Sequence, residues 1–160
     1  MKILVINPGG TSTKIAVFED EKELFKTNIT HSGEDLKVYP HVFDQFAFRK
    51  ELILKAVEEA GFDITTFAAV AGRGGLMNPI TGGTYAVNDR MVDDLRNAVH
   101  GEHPSNLGAV LAREIGETIG RRGWGGKRWR IGCTRYLRGR WCRTRRAATG
   151  QGLDACASFP

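Results

Sequence analysis

Seven residues, Asn7-Pro8-Gly9-Gly10-Thr11-Ser12-Thr13, separate the first two β-branched runs of this chain, Lys2 to Ile6 and Lys14 to Glu19. Parallel pairing needs a much longer crossover, so runs this close pair as a hairpin. Pro and Gly break strands and Gly admits positive φ, which makes the connection a turn. Any sheet built on these residues therefore starts antiparallel. Leu24 to Thr30 reads as a weaker third strand, with Leu24, Lys26, Asn28 and Thr30 alternating against Phe25, Thr27 and Ile29. Phe43 to Ala60 is the clearest helix: Phe46, Ile53, Val57 and Ala60 share one face, Lys50 and Glu58 face away, and Gly61 ends it. Phe67 to Ala71 reads as a short buried strand running into Gly72-Arg73-Gly74-Gly75. Asn88 or Asp89 opens a helix to about Val99, and Ser105 caps another that carries Leu107, Val110, Leu111 and Ile115 on its apolar side. The order strand, strand, strand, helix, strand, helix, helix predicts an α/β layered domain whose sheet turns from antiparallel to mixed.

Composition divides the chain at about residue 120. Of 23 Lys and Arg, 11 lie after Gly120 with a single acidic residue, Asp154, while positions 1–120 hold 12 basic and 17 acidic residues. All three tryptophans (Trp124, Trp129, Trp141) and all three cysteines (Cys133, Cys142, Cys156) also lie in the last forty positions. The cysteine spacing matches no zinc pattern, and an odd count without a secretory signal argues against a disulfide framework. No stretch approaches 18 consecutive apolar residues, and the Met1 to Ile6 run is too short for a secretory core. A soluble, cytoplasmic protein without membrane attachment is expected.

Three clusters carry candidate chemistry. In Asn7 to Lys14, a glycine turn between strands can aim successive backbone N–H groups at one point, and Thr11, Ser12, Thr13 and Lys14 add donors and charge, which suits the phosphates of a nucleotide. It is not a Walker A loop, because the spacing is absent and a strand follows. An ordinary hairpin turn rich in Gly and Thr is the alternative. Arg73, flanked by glycines at the end of a buried strand, presents a planar fork that matches a carboxylate or a phosphate; an exposed surface arginine is the alternative. His103, in Gly101-Glu102-His103-Pro104-Ser105-Asn106, stands just before a capped helix, where its ring can donate to a phosphoryl group in flight; a solvated loop histidine is the alternative. His31, His41 and His100 are taken as surface residues.

Taken together, these clusters resemble one family. Lys2-Ile3-Leu4-Val5-Ile6-Asn7-Pro8-Gly9-Gly10-Thr11-Ser12-Thr13-Lys14 is similar to the signature of the acetate and butyrate kinases. Phe43-Asp44-Gln45-Phe46 with Phe48-Arg49-Lys50, Gly72-Arg73-Gly74-Gly75-Leu76, Gly82-Gly83-Thr84-Tyr85-Ala86-Val87-Asn88, and Gly101-Glu102-His103 with Ser105-Asn106-Leu107-Gly108 resemble the butyrate kinases in particular. The resemblance runs from residue 1 to about 120. It implies the ribonuclease H-like fold shared by actin, sugar kinases and Hsp70 chaperones, with residues 1–120 forming an N-terminal lobe. It also implies reversible phosphoryl transfer from ATP, with Mg²⁺, to butyrate or a similar short-chain carboxylate. Gly9, Gly10, Thr11, Ser12 and Lys14 would bind the ATP phosphates, and Asn7 would help place metal and phosphates. Arg73 would hold the carboxylate and the transferring phosphoryl, and His103 would stabilise its charge. Losing one such donor is expected to cost about 3 kcal/mol of barrier. An acetate kinase-type enzyme is the nearest rival. Family members of full length are expected to be homo-oligomers. Gly10 stands where the family usually carries serine.

Residues 121–160 resemble nothing in that family. Their glycines and arginines show no sustained period, so an irregular tail is expected. An out-of-frame reading of the family's own gene, a basic nucleic-acid-binding tail and a functionless extension are the three readings; the first is preferred, and no specific nucleic-acid partner is expected. On this reading the chain has no kinase activity as it stands, and the lobe carries an unpaired, aggregation-prone sheet edge.

Overall fold

A computed structural model describes residues 1–78, 83–120 and 129–133. β1 (Lys2–Pro8), β2 (Ser12–Glu19) and β3 (Lys22–Thr30) form the expected antiparallel meander. The chain then crosses over through a short helix α1 (Gly33–Lys37), a 3₁₀ turn (Val42–Gln45) and α2 (Phe46–Glu59) to β4 (Ala69–Arg73), which pairs parallel to β1. β5 (Gly83–Ala86), α3 (Asp89–Arg96), α4 (Asn106–Gly120) and β6 (Trp129–Cys133) follow. The mixed sheet has the order β3-β2-β1-β4-β6-β5.

Local chemistry explains most boundaries. Ser32 and Asp35 form a reciprocal capping box at α1, and the Asn88 side chain accepts Met91 N–H at α3. Gly61, at φ +80°, closes α2 in the conformation that only glycine adopts without strain. Ile53 and Val57 of α2 and Leu107, Leu111, Ala112 and Ile115 of α4 pack on the face formed by Leu4, Ile6, Ile15, Val17 and Val70. Burying each of the larger of these side chains stabilises the fold by about 1.5–3 kcal/mol. α3 packs Val92 and Leu95 against Ala109 and Val110 of α4.

Two expectations change. Residues 129–133, expected to be irregular, supply β6, parallel to β4 and antiparallel to β5. The edge of β4, expected to stand unpaired, is therefore occupied. Side-chain periodicity did not foresee this, because a strand edge recruits a neighbour through backbone N–H and C=O groups whatever the side chains. β5 also had no counterpart in the sequence reading. The remainder of the expected tail lies outside the described residues. Among the described residues, no helix is long and apolar enough to cross a membrane.

Candidate active site

Side chains alternate across a strand, so Asn7, Lys14 and Arg73 fall on the sheet face opposite the one covered by α2 and α4. Register brings them into one row. Lys14 lies directly across from Asn7 in the hairpin, and the pairing of Ile6 with Gly72 places Arg73 beside Asn7 on the other side. The Arg73 guanidinium donates from Nη1 to Asn7 Oδ1 at 3.3 Å. Two residues 66 positions apart, predicted separately from two glycine-rich loops, thus meet at the ends of parallel strands.

The turn from Gly9 to Ser12 is closed by Gly9 N–H donating to Ser12 O at 2.7 Å. Behind it lies Arg49, fully buried. Its Nη1 donates to Gly9 O (2.9 Å), Ser12 O (3.2 Å) and Thr13 Oγ1 (3.0 Å), and its Nη2 donates to Gly10 O at 3.0 Å. Gln45 Oε1 accepts from Arg49 Nε and Nη2 at 3.1 and 2.8 Å, fixing the guanidinium plane. The remaining carbonyl, Thr11 O, accepts His31 N–H at 2.9 Å. Every oxygen that holds Arg49 is uncharged, and burial pulls its pKa down to about 10, which leaves it charged at neutral pH.

His31 is not the surface residue expected. It is buried, with Nε2 2.9 Å from Thr13 Oγ1 and its ring edge-on to Phe48. Burial and then the neighbouring Arg49 charge lower its pKa, partly offset by Asp35, and Nδ1 has no hydrogen-bond partner. Both misses had a signal in the sequence. Arg49 lies four residues before Ile53 and eight before Val57, on the buried stripe of the helix. His31 continues the Phe25, Thr27, Ile29 alternation, the side that packs inward.

His103 sits in the loop before α4. A backbone N–H can only donate, so His103 Nδ1, which takes Ser105 N–H at 3.1 Å and lies 2.7 Å from Ser105 Oγ, is an acceptor. The ring proton therefore stands on Nε2, ready to donate outward. Ser105 stands directly before α4, at the position expected of its cap, and its hydroxyl hydrogen goes to His103 Nδ1. The hydrogen bonds of the His103 ring stay within its own loop and do not reach the Asn7 row. Asn106 links the two loops from behind: Oδ1 accepts Leu76 N–H and Nδ2 donates to Gly101 O, both at 2.9 Å. Among the described residues, no group of three His, Cys, Asp or Glu could hold a metal ion. A cation would need oxygens brought by a ligand, with Asn7 Oδ1 as a protein contribution.

The sheet order defines a class of fold, a ribonuclease H-like lobe with a mixed sheet that begins as an antiparallel hairpin. The acetate kinase of Entamoeba histolytica superposes with a TM-score of 0.50 at 13% identity, covering 84% of this chain and 36% of that one. More particularly, 118 residues are 53% identical to a probable butyrate kinase of Clostridium botulinum and 51% identical to butyrate kinase 1 of Clostridium acetobutylicum. Each match takes in 74% of this chain and 33% of the relative. The chain is thus similar to an N-terminal segment of butyrate kinases and spans about a third of the length of the curated relatives it matches. No family model matches it.

Proposed function

We propose that this segment forms the phosphate- and carboxylate-handling part of an ATP-dependent butyrate kinase, which reversibly converts ATP and butyrate, or a similar short-chain acid, to the acyl phosphate and ADP. The observation that carries the reading is the Lys14–Asn7–Arg73 row, joined by the Arg73–Asn7 hydrogen bond at the rim of the glycine turn. Phosphoryl transfer asks a protein for in-line positioning and charge neutralisation, and offers it little covalent work. The turn from Gly9 to Ser12, through its Gly10, Thr11 and Ser12 amides, and Lys14 hold the phosphates. Arg73 spans the acyl carboxylate and the passing phosphoryl, while His103 Nε2–H donates to it as charge builds. Mg²⁺, arriving on the nucleotide with Asn7 as its protein ligand, would neutralise phosphate charge. Residues 1–120 supply the lobe and those beyond 120 a basic extension, of which Trp129–Cys133 joins the sheet. ATP and short-chain acids place the work in the cytoplasm, and small molecules are the partners, with no nucleic acid or membrane required; full-length relatives would act as homo-oligomers.

Titration of the ¹⁵N-labelled 160-residue chain with butyryl phosphate and with pyrophosphate tests this. Pyrophosphate should shift the Gly9 to Lys14 amides, and butyryl phosphate should also shift the Arg73 and His103 side chains. Shifts confined to other surfaces would overturn it.

A further inference from the structure

Resting on that reading of the turn, we propose that Arg49 is the positioning residue of the phosphate site: it pulls the carbonyls of the turn inward and so turns their amides out toward the anion. The argument is geometric. No peptide bond of the described residues is cis, and in a trans peptide C=O and the following N–H point in opposite directions. Arg49 takes Gly9 O and Gly10 O on the inner side, so the Gly10 and Thr11 N–H groups are directed away from it. Gly10 and Thr11 are exposed, so those donors meet solvent or a ligand. His31 N–H holds Thr11 O, which orients the Ser12 N–H by the same rule, and Ser12 O is claimed by Gly9 and again by Arg49.

The fork is needed for this work. Three carbonyl oxygens of one turn, together with the neighbouring Thr13 Oγ1, converge on a single planar group, with Gln45 locking the plane. A lysine carries the same charge but cannot span these acceptors in a fixed plane. Arg49 also sits beneath the turn with no carboxylate paired to it among the described residues, and a buried cation without a counter-charge favours an anion on the other side of the loop.

The test measures pyrophosphate binding by the full chain, with amide shifts followed at Gly10 and Thr11 and folding checked by circular dichroism. Arg49→Lys, which retains charge, should weaken binding about tenfold and abolish the shifts at these two amides. Thr13→Val, isosteric but without the hydroxyl, should weaken binding about threefold, while Thr13→Ser should restore it. Should Arg49→Lys fail to fold, the Thr13 pair decides. Folded Arg49→Lys and Thr13→Val proteins with unchanged affinity and unchanged Gly10 and Thr11 shifts would overturn the inference and leave the phosphate turn standing. A wild-type chain whose turn amides ignore pyrophosphate would remove both.

Discussion

Gly108→Ala should invert the usual sign of a glycine-to-alanine change in a helix. Alanine ordinarily gains up to about 1 kcal/mol over glycine inside a helix. Here α4 crosses β4 at two facing glycines. A Cβ on Gly108 would lie 2.0 Å from Arg73 O, and one on Gly72 would lie 1.9 Å from Gly108 O. Reaching ordinary contact at 3.4 Å requires α4 to lift by well over an ångström at its first turn. That turn seats Leu107, Val110 and Leu111, all almost wholly buried, and a gap of even 0.5–1 Å forfeits roughly a quarter to a half of each packing contact. Overpacking of this kind costs about 1–3 kcal/mol, so even after the helix gain the variant should be less stable by on the order of 2 kcal/mol. For a lobe of this size that corresponds to a melting temperature lower by roughly 10 °C. Thermal and urea denaturation of the full chain, followed by circular dichroism, reads it directly. Gly72→Ala should behave alike, and the double variant should be much less destabilised than the sum, since one lift relieves both clashes. Gly10→Ala, with nothing within 4 Å of its Cβ, is the control and should be close to neutral. A Gly108→Ala protein that melts with the wild type would refute the close crossing, and with it the account of how Arg73 is set at the sheet end.

Three other outcomes are expected. Gly10→Ser meets open space and no positive φ, so it should fold normally and bind pyrophosphate at least as tightly, as measured by calorimetry. Asn106→Ala removes two hydrogen bonds behind the Arg73 and His103 loops, leaving Leu76 N–H and Gly101 O unmet, and should cost about 1–3 kcal/mol in urea denaturation. His31 has its pKa lowered on folding, so the unfolded chain binds a proton that the native one resists; stability should hold above the ordinary histidine value of 6.5 and fall as pH drops from there toward the lowered native pKa. His31→Gln should flatten that part of the stability-versus-pH curve, and an unaltered slope would assign the titration to another group.

The parts of this fold that were legible in the sequence are those whose side chains repeat with a period or whose turns have a composition. The hairpin, the α2 stripe, the Gly61 stop and the Asn88 cap all follow from one local rule each, and the structure keeps them. Asn7, Arg73 and the turn were legible as separate candidates because glycine beside a polar or basic residue at a strand end is a local pattern. Their meeting was not, since it depends on β4 pairing parallel to β1 at the register that sets Gly72 against Ile6. β6 was hidden for a different reason: its place is given by the backbone edge of β4 and leaves no trace in side-chain alternation. Arg49 and His31 were hidden by their chemistry, because a charged or titratable residue on an apolar stripe is read as an interruption before it is read as a buried partner.

That buried arginine also answers a difficulty in the architecture. Many phosphate loops run into a helix, whose N-terminal amides and dipole supply the positive field. Here the loop runs into β2, and strand dipoles alternate and largely cancel, so a sheet contributes little field of its own. The lobe as a whole is acidic, which makes the deficit worse. A fixed charge close behind the turn, held by neutral carbonyls with no carboxylate paired to it among the described residues, supplies both missing elements at once: it aligns the amides that a helix would have aligned, and it provides the positive potential. Lys14 and Arg73 provide charge on the outer face, whereas the turn's carbonyls at Gly9 and Gly10 are held from behind by Arg49. The hairpin origin of the sheet and the burial of Arg49 are in this sense one feature, because a nest built between two strands has to be oriented from underneath.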